Sequence, residues 1–138
     1  MKSNFLRTSI LSLITIFTIS CSKDDEKKVE TPITKATLVL KATNGSFVSG
    51  ITVYAYDQST WETIGDNPTF ADGQVASDSN GNAVFSNIEY PNSFTDLNNN
   101  QNNFRFSAHY VLNGTSKKKV TTITFNKGEQ KTQEVILN

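Results

Sequence analysis

Phe104-Arg105-Phe106-Ser107-Ala108-His109-Tyr110-Val111-Leu112 alternates large apolar and mostly polar side chains without a break. A strand turns successive side chains to opposite faces, so Phe104, Phe106, Ala108, Tyr110 and Leu112 share one side, and Arg105, Ser107, His109 and Val111 share the other. The first set is a core face and the second is the outer face. A helix would scatter the same residues around its circumference, so this stretch sets the fold class as β.

The same period recurs outward from it. Ala36, Leu38, Leu40 and Ala42 alternate with Thr37, Val39 and Lys41, which makes a half-buried strand. Asn44-Gly45 follows as a turn, because both residues tolerate positive φ. Residues 50–56 read as a second strand, with Ile51, Val53 and Ala55 opposed to Thr52, Tyr54 and Tyr56; the pattern alone leaves open which set faces the core. Gln74–Ser77 and Ala83–Phe85 flank Asp78-Ser79-Asn80-Gly81, and Val120–Phe125 and Thr132–Leu137 flank Asn126-Lys127-Gly128. Turn chemistry predicts a hairpin at each. No segment carries a convincing helical period. About seven short strands parted by Asn, Gly, Asp and Ser clusters predict a single all-β, antiparallel sandwich over residues 36–138.

The start of the chain reads differently. Lys2 and Arg7 precede an apolar run from Ile10 to Ile19 that is diluted only by Ser12, Thr15 and Thr18. Basic then apolar is the order of a secretory signal peptide, here residues 1–20. The run is about half of the roughly 20 residues a membrane-spanning helix needs. The only cysteine, Cys21, follows at once and cannot close an internal disulfide. Lys23 to Lys35 is charged and contains Pro32, so residues 21–35 read as a flexible tether.

Thr18-Ile19-Ser20-Cys21 resembles the lipobox of bacterial lipoproteins, with Thr18 where that family usually has Leu or another aliphatic. The resemblance implies a diacylglycerol-linked Cys21, a cut just before it, and a fatty chain such as palmitate on the new amine. At roughly 0.8 kcal/mol per buried CH₂, one chain holds marginally and two or three hold stably. Ordinary secretion by a neighbouring cut is the alternative. Ser22-Lys23-Asp24-Asp25-Glu26 resembles the export signal that sends Bacteroidota lipoproteins to the outer face of the outer membrane. The plainer reading of these charges is a solvated tether, with the domain facing the periplasm.

Without the signal the chain loses Lys2 and Arg7, leaving 11 basic against 13 acidic residues, a formal charge of −2. A nucleic-acid partner would want a concentrated basic face, and none is expected. The local run Lys117-Lys118-Lys119 follows Asn113-Gly114 and opens a strand, where lysines protect a sheet edge from pairing with other chains.

Two further stretches carry a family likeness. Ala42-Thr43-Asn44-Gly45-Ser46-Phe47-Val48-Ser49-Gly50-Ile51-Thr52-Val53 is similar to the opening of carboxypeptidase-regulatory-like and Cna-B-like domains. Ser77-Asp78-Ser79-Asn80-Gly81-Asn82-Ala83-Val84-Phe85-Ser86-Asn87-Ile88 resembles the second hallmark of those domains, a hairpin of the form T-D-x-x-G-x-x-x-F-x-x-L. The resemblance implies a prealbumin-like (transthyretin- or Ig-like) sandwich with Val53 and Ala55 inward and Tyr54 and Tyr56 outward. The chain departs from it in the Asn-rich tract after Phe94 and in the long connection from Gln58 to Asp72, loops of the kind that carry binding sites.

Little here points to catalysis. His109 is the only histidine, and no G-x-S-x-G elbow accompanies it, so a hydrolase is a distant reading. The His-rich motifs and the Tyr-Arg-Gly-Ser ending of hydroxyisourate hydrolases are absent from the sequence. No metal site or cofactor is expected; Asp78–Asn82 reads as a turn before a calcium loop. The isopeptide bond of some Cna-B domains would draw on Lys35 or Lys41 and on Asn138, with no evident buried acid beside them. The positive signal is aromatic. Tyr54, Tyr56, Trp61, Phe70, Tyr90 and Phe94 form a candidate platform for sugars or for an envelope protein, against the plainer reading that they cap the core. The sequence thus describes a non-enzymatic binding or scaffolding module held to the membrane by lipid, with a carbohydrate-binding accessory of glycan uptake as the alternative.

Overall fold

The computed structural model describes residues 33–86 and 102–138. Seven strands form two sheets: β1 (Lys35–Ala42), β2 (Thr52–Tyr56), β3 (Gly73–Ala76), β4 (Asn82–Phe85), β5 (Asn102–Leu112), β6 (Thr115–Phe125) and β7 (Gln130–Leu137). One sheet has the order β4-β1-β7 and the other β3-β2-β5-β6. The expected sandwich is there, and all its pairings are antiparallel except one: β1 and β7 run parallel, Lys35 opposite Gln130 through Ala42 opposite Leu137.

The core lies between the sheets and follows the alternation. Ala36, Leu38 and Leu40 on β1, Val53 and Ala55 on β2, and Phe104, Phe106, Ala108 and Tyr110 on β5 are all buried. Leu112, expected with them, is only partly covered, because it sits at the tip of the β5–β6 hairpin. Ring contacts knit the interior, among them Phe85 to Phe106 at 5.2 Å, Phe104 to Phe106 at 6.4 Å, and Phe104 to Phe125 edge-on at 6.0 Å. Tilted and edge-on rings at such spacings add to what their buried area already contributes.

Two turns behave differently from expectation. Asp78–Gly81 and Asn126–Gly128 both reverse the chain, but neither makes a hairpin. The first leads from β3 in one sheet to β4 in the other, and the second from β6 to β7 in the same way. Turn residues dictate a local reversal; they do not dictate whether the two arms pair edge to edge or pack face to face. The hairpin with ladder pairing is β5–β6, closed by Asn113 (φ 51°) and Gly114 (φ 76°) between the partners Leu112 and Thr115. Two consecutive positive φ values are what a two-residue turn needs to match strand twist. The lysines of β6 stand on an edge strand, as their sequence suggested.

Gly81 has a tighter reason to be glycine. Its carbonyl accepts from the Leu40 amide at 2.8 Å, which draws the corner against β1. A Cβ there would lie 2.5 Å from the Leu40 carbonyl oxygen, at a φ of +73°. Gly45 shares the positive φ but has open space around it.

The pairings also fix which features share an end. The starts of β1, β5 and β7 and the ends of β2, β4 and β6 lie together, because Ala36 faces Phe85, Asn102 faces Phe125 and Tyr56 faces Arg105. Lys35, read as the last tether residue, is already in the ladder, and Thr34 is buried with its hydroxyl accepting from the Gly128 amide at 2.7 Å. The chain therefore enters the body at the end from which the 57–72 connection departs. The 43–50 loop, the 113–114 turn and Asn138 lie at the other.

Two substitutions test this account by urea denaturation. Phe106→Ala should cost about 3–5 kcal/mol as a buried aromatic deletion. Gly81→Ala should cost clearly more than Gly45→Ala, which carries only the left-handed backbone penalty of about 1–2 kcal/mol; equal costs would remove the close approach as the reason for Gly81.

Candidate functional site

The connection between β2 and β3 is not an open loop. Asp57 caps a helix, α1 (Gln58–Ile64), by accepting from the Thr60 amide at 2.7 Å and the Ser59 hydroxyl at 2.8 Å, and Gly65 ends it at φ 64°. A single 3₁₀ turn, Pro68–Phe70, follows, with the Asn67 side chain accepting from the Thr69 amide. Seven residues are too few to show a helical period, so the capping pair Asp57 and Gly65 was the only signal available. Asp72 closes the excursion: its amide donates to the Ala55 carbonyl, and its carboxylate accepts from the Asp57 amide at 2.7 Å and the Thr60 hydroxyl at 3.1 Å.

This excursion lies as a partial third layer on the outer face of the β3-β2-β5-β6 sheet. Neither α1 nor the 3₁₀ turn contributes a buried residue. What holds the layer down is largely polar. Arg105 on β5 donates to the Gln58 side-chain oxygen at 3.0 Å. Trp61 meets Tyr56 edge-on, 5.5 Å between centroids.

The centre of the layer is Asp66, whose side chain is only 5% exposed. Its Oδ1 accepts from the Tyr56 hydroxyl at 3.2 Å, and its Oδ2 accepts from the Ser107 hydroxyl at 2.9 Å. His109 Nε2 lies 3.1 and 3.2 Å from the two oxygens. Lys118 Nζ lies 3.1 Å from Oδ2. Donors from β2, β5 and β6 thus converge on one carboxylate. Burial alone would raise its pKa, but the hydrogen bonds from Ser107, Lys118 and His109 and the adjacent imidazole outweigh it and hold the carboxyl below its ordinary value. Burial, joined by the charge and hydrogen bond of Asp66, pushes the Tyr56 phenol well above its usual range. Burial likewise raises Asp72, beside Asp57, against the hydrogen bonds it receives.

Serine, histidine and aspartate do meet here, as the sequence allowed, but their wiring is not that of a nucleophilic triad. In a triad the serine hydroxyl donates to one imidazole nitrogen and the aspartate holds the other. Here the Ser107 hydroxyl donates to Asp66, the same Nε2 faces both partners, and Ser107 is completely buried. The arrangement is a clasp between the excursion and the sheet.

The candidate aromatics divide accordingly. Tyr56 points outward from the sandwich, as the family resemblance implied, yet it is fully buried beneath the excursion, so it is no free platform. Tyr54 is half-buried with its ring edge-on to His109 at 4.9 Å. Trp61 is half-buried, and Phe70 is well exposed on the 3₁₀ turn. Tyr90, Phe94, Cys21 and Ser22–Glu26 lie outside the described residues. Ser107 and Asp66 were missed as site residues; a serine in an outward strand position carries no mark of the cover that will be laid over it.

Other sequence expectations have simpler outcomes. Among the described residues no cluster of three or more metal-ligating side chains occurs. The Asp78 carboxylate accepts from the amides of Asn80 and Asn82, which lower its pKa and make it a turn residue. Lys41 is ion-paired with Glu134, Lys35 stands opposite Gln130 at the far end of β7, and the Asn138 side chain accepts from Lys119 at 3.2 Å, so neither proposed lysine meets the proposed isopeptide partner.

No family model matches the chain, and no curated protein does. Among solved structures it is similar to the streptococcal ancillary pilin, with a TM-score of 0.50 at 15% identity over 78% of this chain. The chain spans 32% of that pilin's length. At that identity the likeness is one of fold, and it agrees with the two-sheet sandwich.

The clasp makes a pH prediction. A carboxylate whose folded pKa is depressed stabilises the fold above its unfolded pKa, about 3.9, and that contribution is lost as pH falls through the folded value. Asp66→Asn should lower stability at neutral pH by about 1.5–3 kcal/mol and flatten the fall in stability below about pH 4. Chemical denaturation at a series of pH values measures both; an unchanged acid limb would show that Asp66 does not carry it.

Proposed function

We propose that this chain is a lipid-anchored envelope protein whose sandwich is a non-catalytic binding or scaffolding module. The observation that carries the reading is the Asp66 clasp: the one place where nucleophile, imidazole and carboxylate meet is spent on fastening a surface layer to the sheet. A two-sheet body with an aromatic and acidic cover is a rigid support for contacts, and loops on such supports are where binding concentrates. The fold likeness to a pilin is compatible with an external structural role. The anchor and the surface display rest on Thr18–Cys21 and Ser22–Glu26.

Carbohydrate capture is the second reading, favoured by two half-buried rings on one side of the sheet, Tyr54 beside His109 and Trp61 on the excursion.

The anchor is tested by fractionating cells and weighing the mature protein. The unmodified chain should partition with membranes and carry acyl mass on Cys21, and Cys21→Ser should release it; a water-soluble mature protein with a free thiol would overturn the anchor. Protease shaving of intact cells should remove the sandwich if it is displayed outward and spare it if it faces the periplasm.

A further inference from the structure

The four groups around Asp66 differ from it in one respect: they stand on the sheet, and it does not. Tyr56 belongs to β2, Ser107 and His109 to β5 and Lys118 to β6, three neighbouring strands in continuous register. Asp66 belongs to a connection whose helix and 3₁₀ turn bury nothing of their own. If the connection lifts, the donors stay where the sheet puts them. They then form a preset cradle for a carboxylate, with two hydroxyls, an imidazole and an ammonium aimed at one point.

Aromatic rings border this cradle. Tyr54 lies against His109, and Tyr56, uncovered by the same movement, presents its own ring beside it on β2. Trp61, which meets Tyr56 edge-on, belongs to the cover and would move with it. Rings flanking a carboxylate cradle suit a sugar acid, whose pyranose face stacks on an aromatic while its carboxylate takes the hydrogen bonds. Recognition of an acidic peptide draws on arginine clusters, and this face carries one arginine, Arg105, already bonded to Gln58.

We propose that this face is a binding site for a carboxylate-bearing sugar, and that Asp66 keeps it closed by standing where the sugar's carboxylate would sit. The proposal rests on the reading of the chain as a binding module and adds to it a ligand class and a means of regulation. Lys118, 59% exposed, marks the open side from which a ligand can compete with Asp66. The excursion's other acids, Asp57 and Asp72 at its root and Glu62 on its helix, repel an anion that approaches from those sides and leave the Lys118 side as the way in.

The test uses tetragalacturonate, with cellotetraose as an uncharged sugar of equal length, and isothermal titration of the whole mature domain. If the closed form dominates, Asp66→Ala should bind tetragalacturonate about tenfold more tightly than the unmodified protein, with no gain for cellotetraose. Adding Lys118→Ala to that variant should lose about tenfold again. No gain in Asp66→Ala, or an equal gain for the neutral sugar, overturns the proposal. A second measurement covers a variant that loses its fold: in the unmodified protein, saturating tetragalacturonate should speed amide exchange across residues 58–72 and leave β5 protected. Unchanged exchange there overturns it as well. Either failure leaves the membrane-partition result, and with it the anchored-module reading, untouched.

Discussion

Strand β5 is closed off from water on both faces around Ser107, with Phe104 and Phe106 on one side and the excursion on the other, and most of the structure serves that closure. On its inner side Phe104 and Phe106 need an apolar partner, which the facing sheet provides through Leu38, Leu40 and Phe85. On its outer side Ser107 is buried as completely as the phenylalanines, and a buried hydroxyl needs a hydrogen-bond partner. The 57–72 excursion supplies that partner in Asp66. The two layers are therefore held by different physics. The sandwich closes by apolar burial, which is non-directional; the cover closes through a few directed polar bonds to one carboxylate.

That difference explains what could be read from the sequence. Apolar alternation is periodic, so β1 and β5 stand out from spacing alone, whereas the inward set Val53 and Ala55 was implied only by the family resemblance. Turn chemistry is local, so Asp78–Gly81 and Asn126–Gly128 were identifiable as reversals. Whether each reversal stays within a sheet or crosses to the other depends on which faces need covering, a property of the whole core; both crossings were thus mistaken for hairpins. The parallel β1–β7 pair follows from the second of these crossings and shares its invisibility.

The site was less legible for a related reason. Tyr54, Tyr56 and Trp61 are aromatic residues near a long connection, and that much is visible in the string. The clasp, however, joins Asp66 to residues on β5 and β6 some 40 to 50 positions later, with no motif linking them. Ser107, His109 and Lys118 acquire their meaning only when the strands are laid side by side. Tyr56 shows the same thing in reverse: its outward position was correctly inferred, and its burial comes from a cover too short to announce itself as a helix.

The parallel ladder of β1 and β7 has a mechanical corollary. The chain enters at Thr34 and reaches Asn138 at the opposite end of the body, and the two strands that connect to these points are neighbours bonded along eight register pairs. Tension applied between those two points would slide β7 lengthwise past β1, loading the whole ladder simultaneously, whereas an antiparallel pair joined by a hairpin would peel open one bond at a time. A body strung this way resists being drawn out by traction along its long axis.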